Sequence, residues 1–139
     1  MNEAEVMLEM LGGTDGARRT LAVVGLSDDP AKASYAVSAY MQGQGYRILP
    51  VNPGIESALG EKSYASLGEL PVRPDVVNVF RLPKAIPAIV DEMLALGLKD
   101  LWVQLGIRNE AAAQTAEAGG IRVVMDRCIM VEHMRWIRR

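Results

Sequence analysis

Apolar and polar positions fall into short alternating blocks along the chain. Asn2 to Leu11 carries apolar residues at Val6, Met7, Met10 and Leu11, a helical spacing that stops at Gly12-Gly13. Thr20 to Val24 is a compact apolar run rich in valine, ended by Gly25, and reads as a buried strand. Ser34 to Gln44 predicts a helix with Tyr35, Val37, Ala39, Tyr40 and Met41 available for packing, and Gly45 ends it. Tyr46 to Val51 is the second strand, with Pro50 marking a bulge or an edge near its end. Asn52 to Glu69 is a long connection with little periodicity. Val76 to Phe80 is the third strand. The next helix runs from Ala85 to Leu96, with Pro87 tolerated in its first turn and Gly97 beyond its end. Asp100 to Val103, a helix from Asn109 to Ala118, a strand from Ile121 to Met125 and a helix from Cys128 to Arg138 complete the order.

Short apolar strands alternating with helices argue for an α/β fold, a parallel sheet with helices on both faces. Right-handed crossovers leave few ways to arrange five such strands. The expectation is a Rossmann-like, three-layer α/β/α domain with strand order 3-2-1-4-5, and a flavodoxin-like order is second. Residues 1–19 read as an N-terminal helix and linker, and residues 20–139 as the domain itself. Ligands in such folds sit outside the carboxyl ends of the strands, near the switch in strand order. The segments that follow each strand are therefore the ones to search for chemistry.

Composition narrows the class. The chain has 139 residues, half of them hydrophobic and 23% charged, which excludes a disordered chain and suits one domain. Its longest stretch without charge, Ala33 to Tyr46, is too short and too polar to span a membrane. The acidic N-terminus lacks the basic start of a secretory signal. One cysteine forms no internal disulfide and no cysteine metal site, so a reduced, cytoplasmic setting is expected. The net charge is −2, and the basic excess gathers at the C-terminus in Arg135, Arg138 and Arg139. A nucleic-acid binder usually shows a positive stripe interleaved with aromatics, and seven aromatic residues do not supply one. Neither nucleic acid nor membrane is an expected partner.

The strand ends carry the candidate chemistry. After the first strand come Gly25, Leu26 and Ser27, then Lys32, Ser34 and Tyr35 where a helix starts. Glycine allows close approach to a ligand, the hydroxyls offer hydrogen bonds, and a helix start favours phosphate. Only the first glycine of a dinucleotide fingerprint is present. After the second strand, Val51, Asn52 and Pro53 stand where a NAD-binding domain offers a carboxylate to the ribose. That absence speaks against a dehydrogenase and suits a more anionic ligand, with Arg47 a nearby cation in sequence. After the third strand, Phe80 and Arg81 could pack on a ring and pair with phosphate, followed by Pro83. Gln104 and Gly106 follow the fourth strand. Asp126 and Cys128 follow the fifth, and a thiol at a helix start is a candidate for activation. Cys128 and the single His133 are five residues apart, on different helix faces, which argues against a Cys–His pair.

Taken together, Ala22–Gly54, Asp75–Pro83, Leu101–Ala112 and Val123–His133 resemble the small, single-domain CoA-binding proteins. The fold of that family resembles the N-terminal CoA-binding domain of the succinyl-CoA synthetase α subunit. The resemblance implies coenzyme A, or an acyl-CoA, as the ligand. It assigns Gly25, Leu26 and Ser27 to the loop nearest the nucleotide. Val51, Asn52 and Pro53 would line the neighbouring pocket, and Phe80, Arg81 and Pro83 the third strand's end. Gln104 and Gly106 stand where the synthetase has a Thr-Glu-Gly run, and Lys32, Ser34 and Tyr35 belong to the family pattern. The synthetase also needs a domain with a phosphorylated histidine and a nucleotide-binding partner, which 139 residues do not accommodate.

The expectation is a stand-alone, non-catalytic CoA-binding module with no catalytic or metal-ligating residues assigned. Two alternatives stay open. One is a small acyl-CoA transferase or oxidoreductase using Asp28, Asp29 or Asp126 as acid or base. The other is a redox-linked regulatory protein in which Cys128 forms a mixed disulfide with CoA. No protein partner, acyl group or oligomeric state is identified.

Overall fold

The computed structural model describes residues 1–138, and Arg139, counted above in the basic C-terminal cluster, lies outside the described residues. Five parallel strands form the central sheet: β1 (Thr20–Val24), β2 (Arg47–Val51), β5 (Val76–Val79), β6 (Asp100–Val103) and β7 (Arg122–Val124). The two-residue strands β3 (Ser57–Ala58) and β4 (Glu61–Lys62) pair as a separate hairpin within the long connection. The helices are α1 (Ala4–Met10), α2 (Ala33–Gly43), α3 (Ile86–Leu96), α4 (Glu110–Ala118) and α5 (Ile129–Trp136).

The α/β Rossmann-like class stands, and the spatial order is β2-β1-β5-β6-β7. Counting the five sheet strands along the chain, that is 2-1-3-4-5. The third strand lies between the first and fourth rather than outside the second, so the flavodoxin-like order replaces 3-2-1-4-5. Pro50 supplies a physical reason. The Pro50 carbonyl accepts from the Tyr64 amide on the outer side of β2, so its hydrogen-free nitrogen faces the same way. A full strand added there would meet a missing donor, and proline is confined to edges for that reason. Only a single bridge, Val51 to Tyr64, covers that edge.

Alternation along the strands divides the core. Leu21 and Val23 face one side and Ala22 and Val24 the other, as a period of two requires. On one face α3 and α4 pack Ile86, Val90, Met93, Ala112 and Ala116 against Ala22, Val77, Leu101 and Val123. On the other face α1, α2 and α5 pack Met7, Met10, Val37, Met41 and Ile129 against Leu21, Val23, Trp102 and Val124. Burial of each large apolar side chain contributes on the order of 1.5–3 kcal/mol relative to exposure.

The N-terminal helix is tied to the sheet. The Asn2 side chain donates to the Met125 carbonyl at 2.9 Å and accepts from the Met125 amide at 2.7 Å. Arg122 pairs with Asp100 at 2.8 Å and with Glu9 of α1 at 2.5 Å, and these carboxylates push its guanidinium pKa upward.

Candidate functional site

After β1 the chain crosses to one face through α2, and after β5 it crosses to the other through α3. The gap between the ends of β1 and β5 is therefore the switch point of the sheet. The loops there are fastened strand to strand. The Gly25 amide donates to Val51 O, and the Phe80 amide donates to Val24 O, both at 2.9 Å. Gly25 has φ +89°, and a β-carbon on it would lie 2.6 Å from the Phe80 carbonyl oxygen. Only glycine fits both the conformation and the contact.

The β1 loop is held by small side chains. Ser34 Oγ accepts from the Ser27 amide, and Ser27 Oγ accepts from the Asp29 amide, each at 3.0 Å. Both hydroxyl protons remain available. Asn52 donates to Leu26 O at 3.0 Å and accepts from the Gly54 amide at 2.8 Å. Leu26 is fully buried in the core and anchors the loop from below. Lys32 precedes α2 without a side-chain cap, so no side chain accepts from the first-turn amides of that helix.

Two hollows flank the Phe80–Arg81 segment. The smaller, about 160 Å³, is lined by Val51, Pro53, Leu67, Arg81 and Glu92, among others. Glu92 accepts from the Gly68 amide at 3.2 Å and so fixes one wall. The larger is an apolar cleft of about 380 Å³ lined by Ala33, Val37, Phe80, Gln104, Leu105, Ile107 and Cys128. Ligand clefts begin at about that size.

Gln104 is 5% exposed, and its Oε1 accepts from the Ile129 amide at 3.0 Å and from Asn78 Nδ2 at 3.4 Å. It thus caps α5 from another element. Two donors fix Oε1, and the residue lines the cleft. Gly106 has φ +85° with open space above it, and its amide donates to Asp126 Oδ1 at 2.7 Å. That amide, then Arg108 at 3.2 Å, holds the Asp126 carboxyl below the usual carboxylate range.

The switch point therefore gathers Gly25, Ser27, Ser34, Val51, Asn52, Pro53, Phe80, Arg81 and Gln104, with Lys32 at the start of α2. Tyr35 lies in the first turn of α2 and lines neither hollow. Pro83 is exposed, and its carbonyl accepts from Asn109 Nδ2 at 3.0 Å, which ties the β5 loop to α4. Arg47 opens β2 opposite Thr20, so it stands at the amino end of the sheet, away from Val51. His133 is buried, edge-on to both Tyr40 and Tyr46, and does not line the cleft that Cys128 lines. The walls formed by Ala65, Ser66, Leu67 and Glu92 had no signal in the sequence, because the connection carrying the first three shows no periodicity.

Known proteins resemble this chain over most of its length. The profile of the family described as CoA binding domain matches residues 19–134. An uncharacterized protein of Bacillus subtilis, YneT, is 45% identical over 115 residues, covering 83% of this chain and 85% of that protein. A solved structure of cell-free ID.343 from Thermus thermophilus is 37% identical, with a TM-score of 0.88, covering 97% of this chain and 99% of that one. The α subunit of an ADP-forming acetate–CoA ligase of Pyrococcus furiosus is 28% identical over 122 residues, but this chain covers only 27% of it. The matched segment runs from the start of β1 into α5 and takes in every loop at the switch point, and the chain belongs to the CoA-binding domain family.

Proposed function

We propose that this protein binds coenzyme A or an acyl-CoA at the β1–β5 switch point, as a stand-alone, non-catalytic module. The observation that carries the reading is the meeting of two unlike environments around Phe80 and Arg81. One environment consists of cations and amides. Arg81 and Lys32 are exposed and have no ion-pair partner among the described residues, and the first turn of α2 lacks a cap. Coenzyme A carries a diphosphate and a ribose phosphate, which need such donors. Next to them is the apolar cleft, which the first turn of α2 reaches through Ala33 and which Phe80 and Gln104 line. That suits the pantetheine arm, a chain of methylenes interrupted by amides.

Several acid–base candidates are already engaged in holding loops. Asp126 secures Gly106 and Arg108, and Asp29 accepts from the Ala31 amide at 2.9 Å. This favours binding over chemistry. In this reading the chain from residue 20 onward holds the ligand, while residues 1–19 brace the β7 edge of the sheet. No helix among the described residues is long and apolar enough to cross a membrane, and the single cysteine fits a cytoplasmic setting.

Isothermal titration with CoA, acetyl-CoA, NAD and NADP tests the reading. CoA or acetyl-CoA is expected to bind most tightly, and tighter binding of NAD overturns it. A turnover screen with acyl-CoA substrates tests the non-catalytic part, which sustained product formation would refute.

A further inference from the structure

We propose that the apolar cleft receives the acyl chain of a short-chain acyl-CoA, so that the ligand is an apolar thioester in preference to free coenzyme A. The inference rests on the CoA reading above and names the class of ligand within it.

The walls of the cleft are poor in polar groups. Ala33, Val37, Phe80, Leu105 and Ile107 present hydrocarbon, and a buried free cysteine such as Cys128 packs as a small hydrophobe. Among the described residues, none that lines the cleft is charged. Gln104 is the one side chain there with an amide, and its Oε1 already accepts from Ile129 and Asn78. The backbone is engaged as well. The amides of Phe80, Gln104 and Ile107 donate to the carbonyls of Val24, Val79 and Gln104. A polar chain entering such a space gives up hydrogen bonds to water, whereas hydrocarbon gains by leaving water.

The second observation is Leu105. It lines the cleft and is nevertheless 65% exposed. Its loop is fastened, because the Gly106 amide donates to Asp126 Oδ1 at 2.7 Å and Arg108 donates to Oδ2 at 3.2 Å. Leu105 is thus held at the cleft with its side chain largely in water. A hydrocarbon chain lying there covers it and removes apolar surface of both partners from solvent.

The charged part of the ligand sets the direction. Ala33 lines the cleft and opens α2, beside Lys32 and the uncapped first-turn amides. With the diphosphate at those donors, the pantetheine arm starts at the mouth of the cleft. Its sulfur end and the acyl group then reach the walls of Phe80, Leu105 and Ile107. A volume of about 380 Å³ is near the lower bound for ligand clefts, which suits a short chain rather than a long-chain lipid.

Isothermal titration of the full chain with CoA, acetyl-CoA, butyryl-CoA and hexanoyl-CoA tests the proposal, with hexanoate alongside. Affinity is expected to rise about fourfold per buried methylene, the equivalent of about 0.8 kcal/mol. Hexanoate lacks the phosphates and should not bind. Leu105→Asp, checked for folding by circular dichroism, should lower the ratio of hexanoyl-CoA to CoA affinity about tenfold. CoA binding that is indifferent to chain length overturns the acyl assignment and leaves the CoA reading intact. So does an unchanged ratio in folded Leu105→Asp, which places the chain elsewhere. Hexanoate binding as tight as that of hexanoyl-CoA gives the cleft to a free carboxylic acid and also overturns the proposal. Failure of every CoA species to bind overturns both readings.

Discussion

The two ends of the sheet are built on different chemistry. At the amino end, long charged side chains close the structure. Arg122 bridges Asp100 and Glu9, Arg19 pairs with Asp15, and Arg73 donates to the carbonyls of Leu96 and Gly97. At the carboxyl end, short side chains tie the loops near the switch point, through Ser27, Ser34, Asn52 and Asp126. Arg81 and Lys32 are left over there. One end uses its arginines to hold the fold, and the other engages Arg108 with Asp126 and Glu110 but leaves Arg81 and Lys32 unspent near the hollows. The contrast supports the proposed anion site more than any single loop does.

Substitutions at the two ends should therefore separate stability from binding. The largest effect is expected at Gly25, where both properties meet. Gly25→Val places a branched side chain against the Phe80 carbonyl at a positive φ, and should cost about 3 kcal/mol in a urea unfolding curve and abolish CoA binding. A stable variant with normal affinity would show that the close approach is dispensable. Next comes Arg81→Ala, expected to weaken CoA binding by about 1–3 kcal/mol while leaving the unfolding midpoint unchanged. Unchanged affinity would remove Arg81 from the site. Arg122→Met should do the reverse at the other end, lowering stability by about 1 kcal/mol with CoA affinity intact. If it weakens CoA binding as much as Arg81→Ala does, the division between the ends fails.

The smallest effect concerns pH. Burial first, then Arg18 and Arg138, pushes the His133 imidazole below its ordinary value. The unfolded chain then binds the proton more readily than the folded one. The stability contributed by neutral His133 is complete above about pH 6.5 and falls as pH drops below it toward the folded value. His133→Phe should flatten the fall of the unfolding midpoint below about pH 6.5. An unchanged slope would assign the acid sensitivity to other groups.

Much of this was legible in the chain. The five sheet strands and five helices were marked by β-branched runs, helical spacing and glycine stops, with boundaries shifted by one or two residues. Strand order was harder, because adjacency depends on which edge can accept a partner. The clue was Pro50, whose meaning depends on the side its nitrogen faces. The β3–β4 hairpin was missed for a local reason. Its two-residue turn has Leu59 at φ +55° and Gly60 at φ +78°, where asparagine usually announces such a turn. Leu59 packs on the core, and its carbonyl accepts from Gln42 at 3.0 Å, so tertiary contacts hold a conformation its own side chain disfavours. At the site, the residues following each strand were visible in sequence. Their division between fasteners such as Leu26 and Asn52 and open donors such as Arg81 depends on long-range hydrogen bonds.

The two outer margins of the sheet share a property with consequences for concentrated solutions. Along β2, Tyr64 takes the backbone groups on either side of Val51, and Pro50 offers no donor. Beyond β7, Asn2 takes the Val123 carbonyl through its backbone and both polar groups of Met125 through its side chain. An incoming strand from a second molecule finds few free donors or acceptors on either margin. Protection of this kind guards parallel sheets against edge-to-edge aggregation. It also means that self-association in the native state would have to use helices and loops rather than an extended sheet.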